Sequence, residues 1–210
     1  FEKKHKCKVL CSTFHNEWFK NLEEYKEIEF IQPGDVIDCI THYKIGWFKN
    51  EEGEWGEGIK NPRRCNSIPL QATATDILGL EFKELNYGVD LGKSKRPIKD
   101  KYVIFGPQAT SGCKEWVHDY WCELTNKFID KGYKIFVCST EHYNIPNTVD
   151  ISGDLELTST YLKYADIFIG LGSGLSWLNW ALDKHTYMIN GFAEEGHEFT
   201  NNLTKITNDK

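Results

Sequence analysis

The sequence lacks the features that most quickly assign a protein to a membrane or to a common class of enzyme. No apolar run in its 210 residues approaches the length of a membrane-spanning helix. The GxSxG, Walker A and HExxH motifs are all absent, so none of these signatures indicates a chemistry. Basic residues are scattered and the formal net charge is −6, which argues against nucleic acid as the main partner.

The seven cysteines also lack any paired arrangement, because no CxxC occurs among them. An odd number of cysteines without a signal peptide fits a reducing compartment, and we therefore expect a cytoplasmic location. Cys138 and His142 are four residues apart, but a metal ion needs more than two ligands. We interpret both as structural residues and predict no metal site.

What the sequence does contain is a regular alternation of strands and helices in its second half. The pattern predicts strands at 102–105, 134–138, 149–152, 167–169 and 187–190, with helices at 113–131, at 155–164 and from about residue 174. Such alternation is typical of an α/β fold with a parallel sheet and helices on both faces. Ligands bind such sheets at the edge where the strands end.

The first half of the sequence is less regular. We predict a helical start at 1–6, a short helix at 14–22, a strand at 27–31 and a helix at 66–80. Residues 84–100 lose the periodicity, and their glycines, proline and charges indicate a linker. The chain is therefore divided into a first domain with its linker at 1–95 and a second domain at 96–210.

A glycine-rich turn lies in the stretch DIFIGLGSGLSWLNWAL, residues 166–182. Gly170, Gly172 and Gly174 interrupt an apolar strand, and Ser173 is a candidate N-cap for a helix that begins near Gly174. Bare backbone N–H groups and the positive end of a helix dipole suit a phosphate. The spacing alone is equally compatible with a tight strand-to-helix turn that binds nothing.

A second candidate loop follows the predicted strand at 102–105 and reads GPQATSGCKEW. The hydroxyls of Thr110 and Ser111 beside Lys114, at the start of a predicted helix, suit a diphosphate whose charge the lysine would counter. A capped helix whose lysine points to water is the alternative. Trp116 and Trp177 lie beside these loops and are candidates for stacking on a ring.

The third loop, after the predicted strand at 134–138, contains Ser139, Thr140 and Glu141. A carboxylate just past a strand end commonly binds ribose hydroxyls in dinucleotide folds. Glu141 is equally compatible with an ordinary surface position.

The GPQATSGCKEW loop and the GLGSGLSWLNWAL turn resemble those of the heptosyltransferase branch of GT-B glycosyltransferases. The autotransporter O-heptosyltransferase group is similar over nearly the whole chain, including the stretches HKCKVLCSTFHNEWF, YKIGWF, PLQATATDILGL, YNIP and HTYMINGF. The resemblance implies a GT-B fold with two Rossmann-like domains. The domain at 1–95 would be an incomplete acceptor-side domain, and the domain at 96–210 would bind the nucleotide sugar.

The resemblance also implies an enzyme that transfers heptose from an ADP-heptose-type donor to Ser or Thr hydroxyls of a bacterial autotransporter adhesin. Lys114 corresponds to the family's lysine in a Lys-x-Trp motif that contacts the donor phosphates, and it is the candidate catalytic residue for stabilising the leaving group. The family's Asp-Thr-Gly turn corresponds to residues 172–174, where glycine replaces the aspartate, and the family's histidine corresponds to Trp177. The donor-binding residues expected are Thr110, Ser111, Lys114, Trp116, Glu141, Gly172, Ser173 and Gly174.

Two features of the resembled family are missing from this sequence. The glycine-rich loop with the presumed catalytic aspartate should precede Phe1, and the iron-binding cysteine cluster of the autotransporter group should lie toward the C-terminus. We therefore expect a fragment that carries no catalytic base and no cofactor, and that is inactive or nearly so by itself. The expected partners are the nucleotide sugar, the autotransporter passenger and further copies of the chain. Two alternatives stay open: a degenerate GT-B module that binds a nucleotide or a subunit without catalysis, and a transferase that uses another nucleotide sugar.

Overall fold

The computed structural model describes residues 1–19, 21–35, 37–43, 45, 47–49, 55–57, 69–85, 88–89, 91–191 and 197–207. The chain forms two compact units, one of Phe1–Asp90 with Ala193–Thr200 and one of Leu91–Phe192 with Asn201–Lys210. The expected division into an acceptor-side domain and a donor-side domain after residue 95 stays a prediction. In the described part of the chain, each helix is too short or too polar to cross a membrane.

The first unit contains short elements. These are helix α1 (Glu2–His5), the parallel strands β1 (Val9–Ser12) and β2 (Ile28–Ile31), the antiparallel strands β3 (Trp47–Lys49) and β4 (Trp55–Glu57), and helix α2 (Leu70–Ile77). The strand predicted at 27–31 and the helical start at 1–6 are confirmed. The helix predicted at 14–22 is wrong, because the described residues of this range form only a short 3₁₀ turn at Asn16–Trp18.

Helix α2 is shorter than the predicted helix at 66–80, whose residues 66–68 lie outside the described residues. Its C-terminal end has a clear local cause. Gly79 adopts a φ of 62°, its N–H donates to the Asp76 carbonyl, and the Leu80 N–H donates to the Thr75 carbonyl at 2.8 Å. This pair of hydrogen bonds is the Schellman motif, which ends a helix at a residue that is most often glycine.

The second unit is built on a six-stranded sheet with the spatial order β10-β9-β8-β5-β6-β7, and every neighbouring pair is parallel. The strands are β5 (Tyr102–Gly106), β6 (Lys134–Val137), β7 (Val149–Asp150), β8 (Ile167–Leu171), β9 (Thr186–Ile189) and β10 (Leu203–Ile206). The helices are α3 (His118–Ile129), α4 (Leu155–Tyr164) and α5 (Gly174–Ala181). The predicted α/β architecture is confirmed, and β10 is a strand that the sequence analysis did not predict.

The strand order has a reversal between β5 and β8. From β5 the chain moves outward through β6 and β7, and it then returns to form β8, β9 and β10 on the other side. This is the strand order of dinucleotide-binding Rossmann sheets, in which the loops after the two central strands diverge and leave a crevice. Gly106 and Gly170 are register partners at the carboxyl ends of these two strands. The crevice is therefore expected beside this glycine pair.

The core of the second unit lies on both faces of the central strands. All five residues of β5 are buried, as expected for the middle strand of a sheet covered on both sides. One face packs against α3, where the fully buried Trp121 ring lies 5.0 Å from that of Phe105.

Part of the predicted linker is a packed segment of the second unit. Gly92 has a φ of 78°, and a Cβ on it would lie 2.7 Å from the backbone nitrogen of Thr160. Arg96 donates to the Tyr164 carbonyl at 3.0 Å and to the Asp166 carboxylate at 2.8 Å. The glycine and charge that indicate a linker in the sequence therefore serve close packing on α4 and at the start of β8.

Candidate functional site

Lys114 is the residue that joins two of the predicted loops. It ends a 3₁₀ turn, Gly112–Lys114, in the loop after β5, and its Nζ donates to the carbonyl oxygen of Gly172 at 3.2 Å. Gly172 lies in the loop after β8. The structure therefore brings the lysine and the glycine turn together at the reversal of strand order, as the parallel sheet predicted.

The helix that follows Lys114 begins later than predicted. Helix α3 begins at His118 instead of residue 113, because Glu115 and Val117 have extended backbones with ψ of 138° and 131°. Thr110 and Ser111 are exposed and precede the 3₁₀ turn. The prediction that they and Lys114 lie at a helix start is wrong, so the dipole of α3 gives no argument for a phosphate at this loop.

The glycine turn after β8 leads directly into α5, which begins at Gly174 as predicted. Ser173 occupies the N-cap position with an extended backbone, but its side chain makes no capping hydrogen bond. Its Oγ is buried and has no hydrogen-bond partner among the described residues. A Cβ on Gly174 would meet nothing within 4 Å, so open space lies beside the first turn of the helix.

The two glycines at the strand ends are, in contrast, tightly enclosed. A Cβ on Gly106 would lie 2.9 Å from Leu175 Cδ2, and a Cβ on Gly170 would lie 2.7 Å from Phe168 Cζ and 2.9 Å from Ser176 Oγ. Both positions thus need glycine so that the first turn of α5 can pack on the sheet. The sequence analysis treated Gly170 as an interruption and gave Gly106 no role of its own within the GPQATSGCKEW loop, although a glycine directly after an apolar strand is a usable signal.

Trp116 and Trp177, the candidate stacking residues, are both partly buried. The Trp116 ring packs edge-to-face on Trp121 at 5.2 Å and lies 5.3 Å from Tyr120, so it forms part of the core beside α3. The Trp177 ring packs edge-on against Trp180 at 5.8 Å. Stacking of either ring on a ligand stays a prediction.

Glu141 is exposed in the loop after β6, and its backbone is held by a residue that sequence reasoning missed. The Gln108 side-chain oxygen accepts a hydrogen bond from the Glu141 N–H at 3.0 Å and another from the Thr140 hydroxyl at 3.4 Å. On the other side of the loop, the Ser139 N–H donates to Ser152 Oγ at 2.9 Å. The loops after β5, β6 and β7 are therefore connected by hydrogen bonds at one edge of the sheet.

A contact between a histidine and a carboxylate lies next to the Glu141 loop. His142 Nδ1 is 2.9 Å from an Asp150 carboxylate oxygen, and the other oxygen accepts from the Ser152 N–H at 2.8 Å. Partial burial acts to raise the pKa of Asp150, but the hydrogen bonds from Ser152 and His142 outweigh it and leave that pKa below its usual range.

Cys138 and His142, which lie four residues apart, have separate local contacts. Cys138 is buried with its sulfur 3.4 Å from the Thr158 hydroxyl, and burial raises the pKa of its thiol. Within the ranges that the structure describes, no group of three or more His, Cys, Asp or Glu side chains could hold a metal ion.

The family model of glycosyltransferase family 9 (heptosyltransferase) matches residues 74–207, which is more than half of the chain. The chain belongs to glycosyltransferase family 9. The matched range contains the whole six-stranded sheet and every predicted site residue, so the family 9 assignment rests on the unit that carries the candidate site.

One sequence relative and one solved structure show which members of family 9 this chain resembles. The autotransporter heptosyltransferase Aah of Escherichia coli is 29% identical over 95% of this chain and 53% of its own length. The solved structure of TibC, also from Escherichia coli, is 27% identical with a TM-score of 0.78 and covers 97% of this chain and 56% of TibC. The chain thus spans about half the length of the curated relatives it matches, and the predicted GT-B heptosyltransferase-type fold is confirmed.

The names of the relatives carry further information about those proteins. The TibC structure is that of a dodecameric, iron-containing heptosyltransferase in complex with ADP-D-β-D-heptose. The residues described here do not fit an iron site, because no suitable group of ligands occurs among them. BimC of Burkholderia thailandensis, 24% identical over 95% of this chain and 49% of its own length, is an inactive autotransporter heptosyltransferase.

Proposed function

We propose that this chain supplies the donor-binding part of an enzyme that transfers heptose from an ADP-heptose-type donor to Ser or Thr hydroxyls of a bacterial autotransporter adhesin. The contact between Lys114 Nζ and the Gly172 carbonyl carries the proposal, because it places a cation at the crevice of a Rossmann sheet. The likeness to TibC, whose structure contains ADP-D-β-D-heptose, supports the donor class.

The chemistry follows from the bond that breaks. When the glycosyl carbon leaves its phosphate oxygen, the bonding electrons move onto the leaving diphosphate and its negative charge increases. The Lys114 ammonium would stabilise that charge, as would the N-terminus of α5, whose dipole is equivalent to roughly half a positive charge. The unpartnered Ser173 hydroxyl would donate a further hydrogen bond there, and the open space beside Gly174 leaves room for the phosphate.

The nucleoside end of the donor is assigned to the neighbouring loop. Strand β6 lies next to β5, so Glu141 follows the strand end adjacent to the loop that carries Lys114. We propose that its carboxylate accepts hydrogen bonds from the ribose hydroxyls. The exposed hydroxyls of Thr110 and Ser111, and the rings of Trp116 and Trp177, are proposed as further donor contacts.

We also propose a cytoplasmic location and assembly with further copies of the chain. Six cysteines in the described part of the chain are free thiols, which a reducing compartment preserves. TibC is dodecameric, and this supports the self-assembly.

A second candidate is a nucleotide-binding module without catalysis. The relative BimC is an inactive autotransporter heptosyltransferase, and this supports a chain of the same group without catalysis. Gly172 stands where the resembled enzymes have an aspartate, and Trp177 stands where they have a histidine. The candidate base that would deprotonate the acceptor hydroxyl is also unassigned within the described residues, so we expect heptose transfer by residues 1–210 alone to be near background.

Calorimetric titration tests the proposal, with ADP added to the wild-type chain and to Lys114→Ala. We expect saturable binding that the substitution weakens by about tenfold or more, because a hydrogen bond to a charged group contributes about 1.5–3 kcal/mol. Lys127→Ala is the matched control, since Lys127 is exposed on α3. UDP and GDP should bind more weakly than ADP.

Absence of ADP binding to the wild-type chain would contradict the donor site. Tighter binding of UDP or GDP would instead indicate another nucleotide sugar. If ADP binds but the full-length protein transfers no heptose to an adhesin, the non-catalytic module is the correct function.

A further inference from the structure

The Gln108 side chain connects the loop that carries Lys114 with the loop that carries Glu141. It lies two residues after the end of β5, and its oxygen accepts the Glu141 peptide N–H at 3.0 Å. The same oxygen accepts the hydroxyl of Thr140 at 3.4 Å. One amide group thus holds the neighbouring loop at two consecutive residues, at the Glu141 backbone and at the Thr140 side chain.

The loop after β6 is held from its other side as well. The Ser139 N–H donates to Ser152 Oγ at 2.9 Å, and the Ser139 hydroxyl donates to the Glu141 carbonyl. Removing Gln108 would leave the anchor at Ser139 in place but would free the peptide N–H of Glu141. Two side chains therefore anchor the Glu141 backbone, Gln108 at the N–H and Ser139 at the carbonyl, and only the N–H anchor comes from the loop that carries Lys114.

We propose that Gln108 is a positioning residue for the nucleoside end of the donor. By fixing the Glu141 peptide it orients the Glu141 carboxylate toward the two ribose hydroxyls, although Gln108 does not itself contact the donor. This inference rests on the proposed function of the site. A loop that is ordered before the donor binds loses less conformational entropy on binding. A site built to accept hydroxyl hydrogen bonds also discriminates against analogues that lack them.

The test compares ADP with 2′,3′-dideoxy-ADP, which lacks both hydroxyls, by calorimetric titration. The proteins are the wild-type chain, Gln108→Met, Gln108→Glu, Glu141→Ala and the double variant Gln108→Met/Glu141→Ala. Methionine has nearly the same length as glutamine but no acceptor oxygen, whereas glutamate keeps an oxygen at that position. Thermal unfolding of each variant reports any loss of stability separately.

We expect the wild-type chain to prefer ADP by about tenfold or more, since hydrogen bonds to a carboxylate are strong. Gln108→Met should lower that preference by about threefold or more and leave the affinity for dideoxy-ADP unchanged. Gln108→Glu should retain the preference. In the Glu141→Ala background, Gln108→Met should cause no further loss, because residues that act through one another are not additive.

Equal weakening of both nucleotides by Gln108→Met would overturn the proposal, as would additive losses in the double variant. A merely structural role would lower the unfolding temperature without changing the preference for ADP, and that result also contradicts the inference. If the wild-type chain binds ADP, Lys114→Ala weakens that binding and Gln108→Met keeps the preference for ADP over dideoxy-ADP, then this inference fails and the proposed function stands. If the wild-type chain binds no ADP, the proposed function fails and this inference fails with it.

Discussion

Replacing Gly170 by alanine should destabilise the second unit, because the space beside its Cα is already filled. The added Cβ would lie 2.7 Å from Phe168 Cζ, 2.9 Å from Phe168 Cε1 and 2.9 Å from Ser176 Oγ. Neither neighbour moves away easily. Phe168 is 2% exposed, and the Ser176 hydroxyl donates to the Leu171 carbonyl at 2.6 Å.

The size of the effect follows from the packing. Forcing one extra methyl group into a close-packed core costs about 1–3 kcal/mol, and alanine recovers roughly 0.5–1 kcal/mol because it is less flexible than glycine in the unfolded chain. The difference between the two ranges is a net loss centred on about 1 kcal/mol. For a unit of this size, each kcal/mol lowers the unfolding midpoint by about 4–8 °C.

Urea unfolding followed by circular dichroism measures the loss, and Gly174→Ala is the matched control. A Cβ at Gly174 meets nothing within 4 Å, so that variant should show no loss of stability and a gain of up to about 1 kcal/mol. Replacing Phe168 by leucine removes the ring that blocks the Cβ, so Gly170→Ala should cost less than half as much in the Phe168→Leu background as in the wild type. A urea midpoint for Gly170→Ala equal to that of the wild type would refute the packing argument. The same holds if Gly170→Ala costs as much stability in the Phe168→Leu background as in the wild type.

Two further predictions concern stability. Asp154→Ala should lower the free energy of unfolding in urea by about 1 kcal/mol, because the Asp154 carboxylate caps α4 by accepting the Leu157 N–H at 3.0 Å. Asp154→Asn should retain most of that stability. Equal losses in the two variants would contradict the capping role. Burial acts to raise the pKa of Asp166, but the Tyr102 N–H and Arg96 outweigh it and hold that pKa below its usual range. The contribution of the Asp166 carboxylate to stability is therefore complete above about pH 4, and it is lost as the pH falls through the lowered pKa that this carboxylate has in the folded protein. Asp166→Asn should flatten this part of the pH profile of the urea midpoint, and an unchanged profile would show that other carboxylates cause it.

The central strands of the sheet in the second unit were predictable because they are buried on both faces. Ile167, Phe168 and Ile169 form a continuous apolar run, which indicates such a strand without any help from periodicity. Strand β10 gave no such signal, since it is a short edge strand whose residues alternate between half-buried and exposed. Burial on one face of four residues is too weak a pattern to separate from a loop.

The first unit was harder to predict, because the spacing of its aromatic residues along the sequence resembles that of an amphipathic helix. The Phe19 ring stacks on Phe30 at 5.7 Å and meets Tyr25 edge-on at 5.6 Å. Phe19 is therefore placed by a strand and a turn that lie further along the chain, and the apolar spacing at 14–22 arises from this cluster. Local sequence contains no information that distinguishes such a cluster from an amphipathic helix.

The candidate site was predictable only as far as topology determines it. Parallel strands bring their carboxyl ends to one edge, and this alone predicts that Lys114 approaches the glycine turn of Gly172. The bond from Glu141 N–H to Gln108 joins a side chain to a backbone group 33 residues away, and such a bond leaves no period or spacing in the sequence. The late start of α3 was missed for a related reason, because the extended backbone at Glu115 and Val117 has no glycine or proline to mark it.

The glycines of the site separate two physical requirements that the sequence presents as one motif. Gly106 and Gly170 are enclosed by Phe168 and by the first turn of α5, so they are needed for the sheet and helix to pack together. Gly174 faces open space, and nothing in the folded chain requires a glycine there. In the function proposed above, the phosphate of the donor would occupy that space at the N-terminus of α5, where the helix dipole favours an anion. Packing at one pair of glycines thus holds the end of α5 in place, and the third glycine leaves the space beside that helix end open.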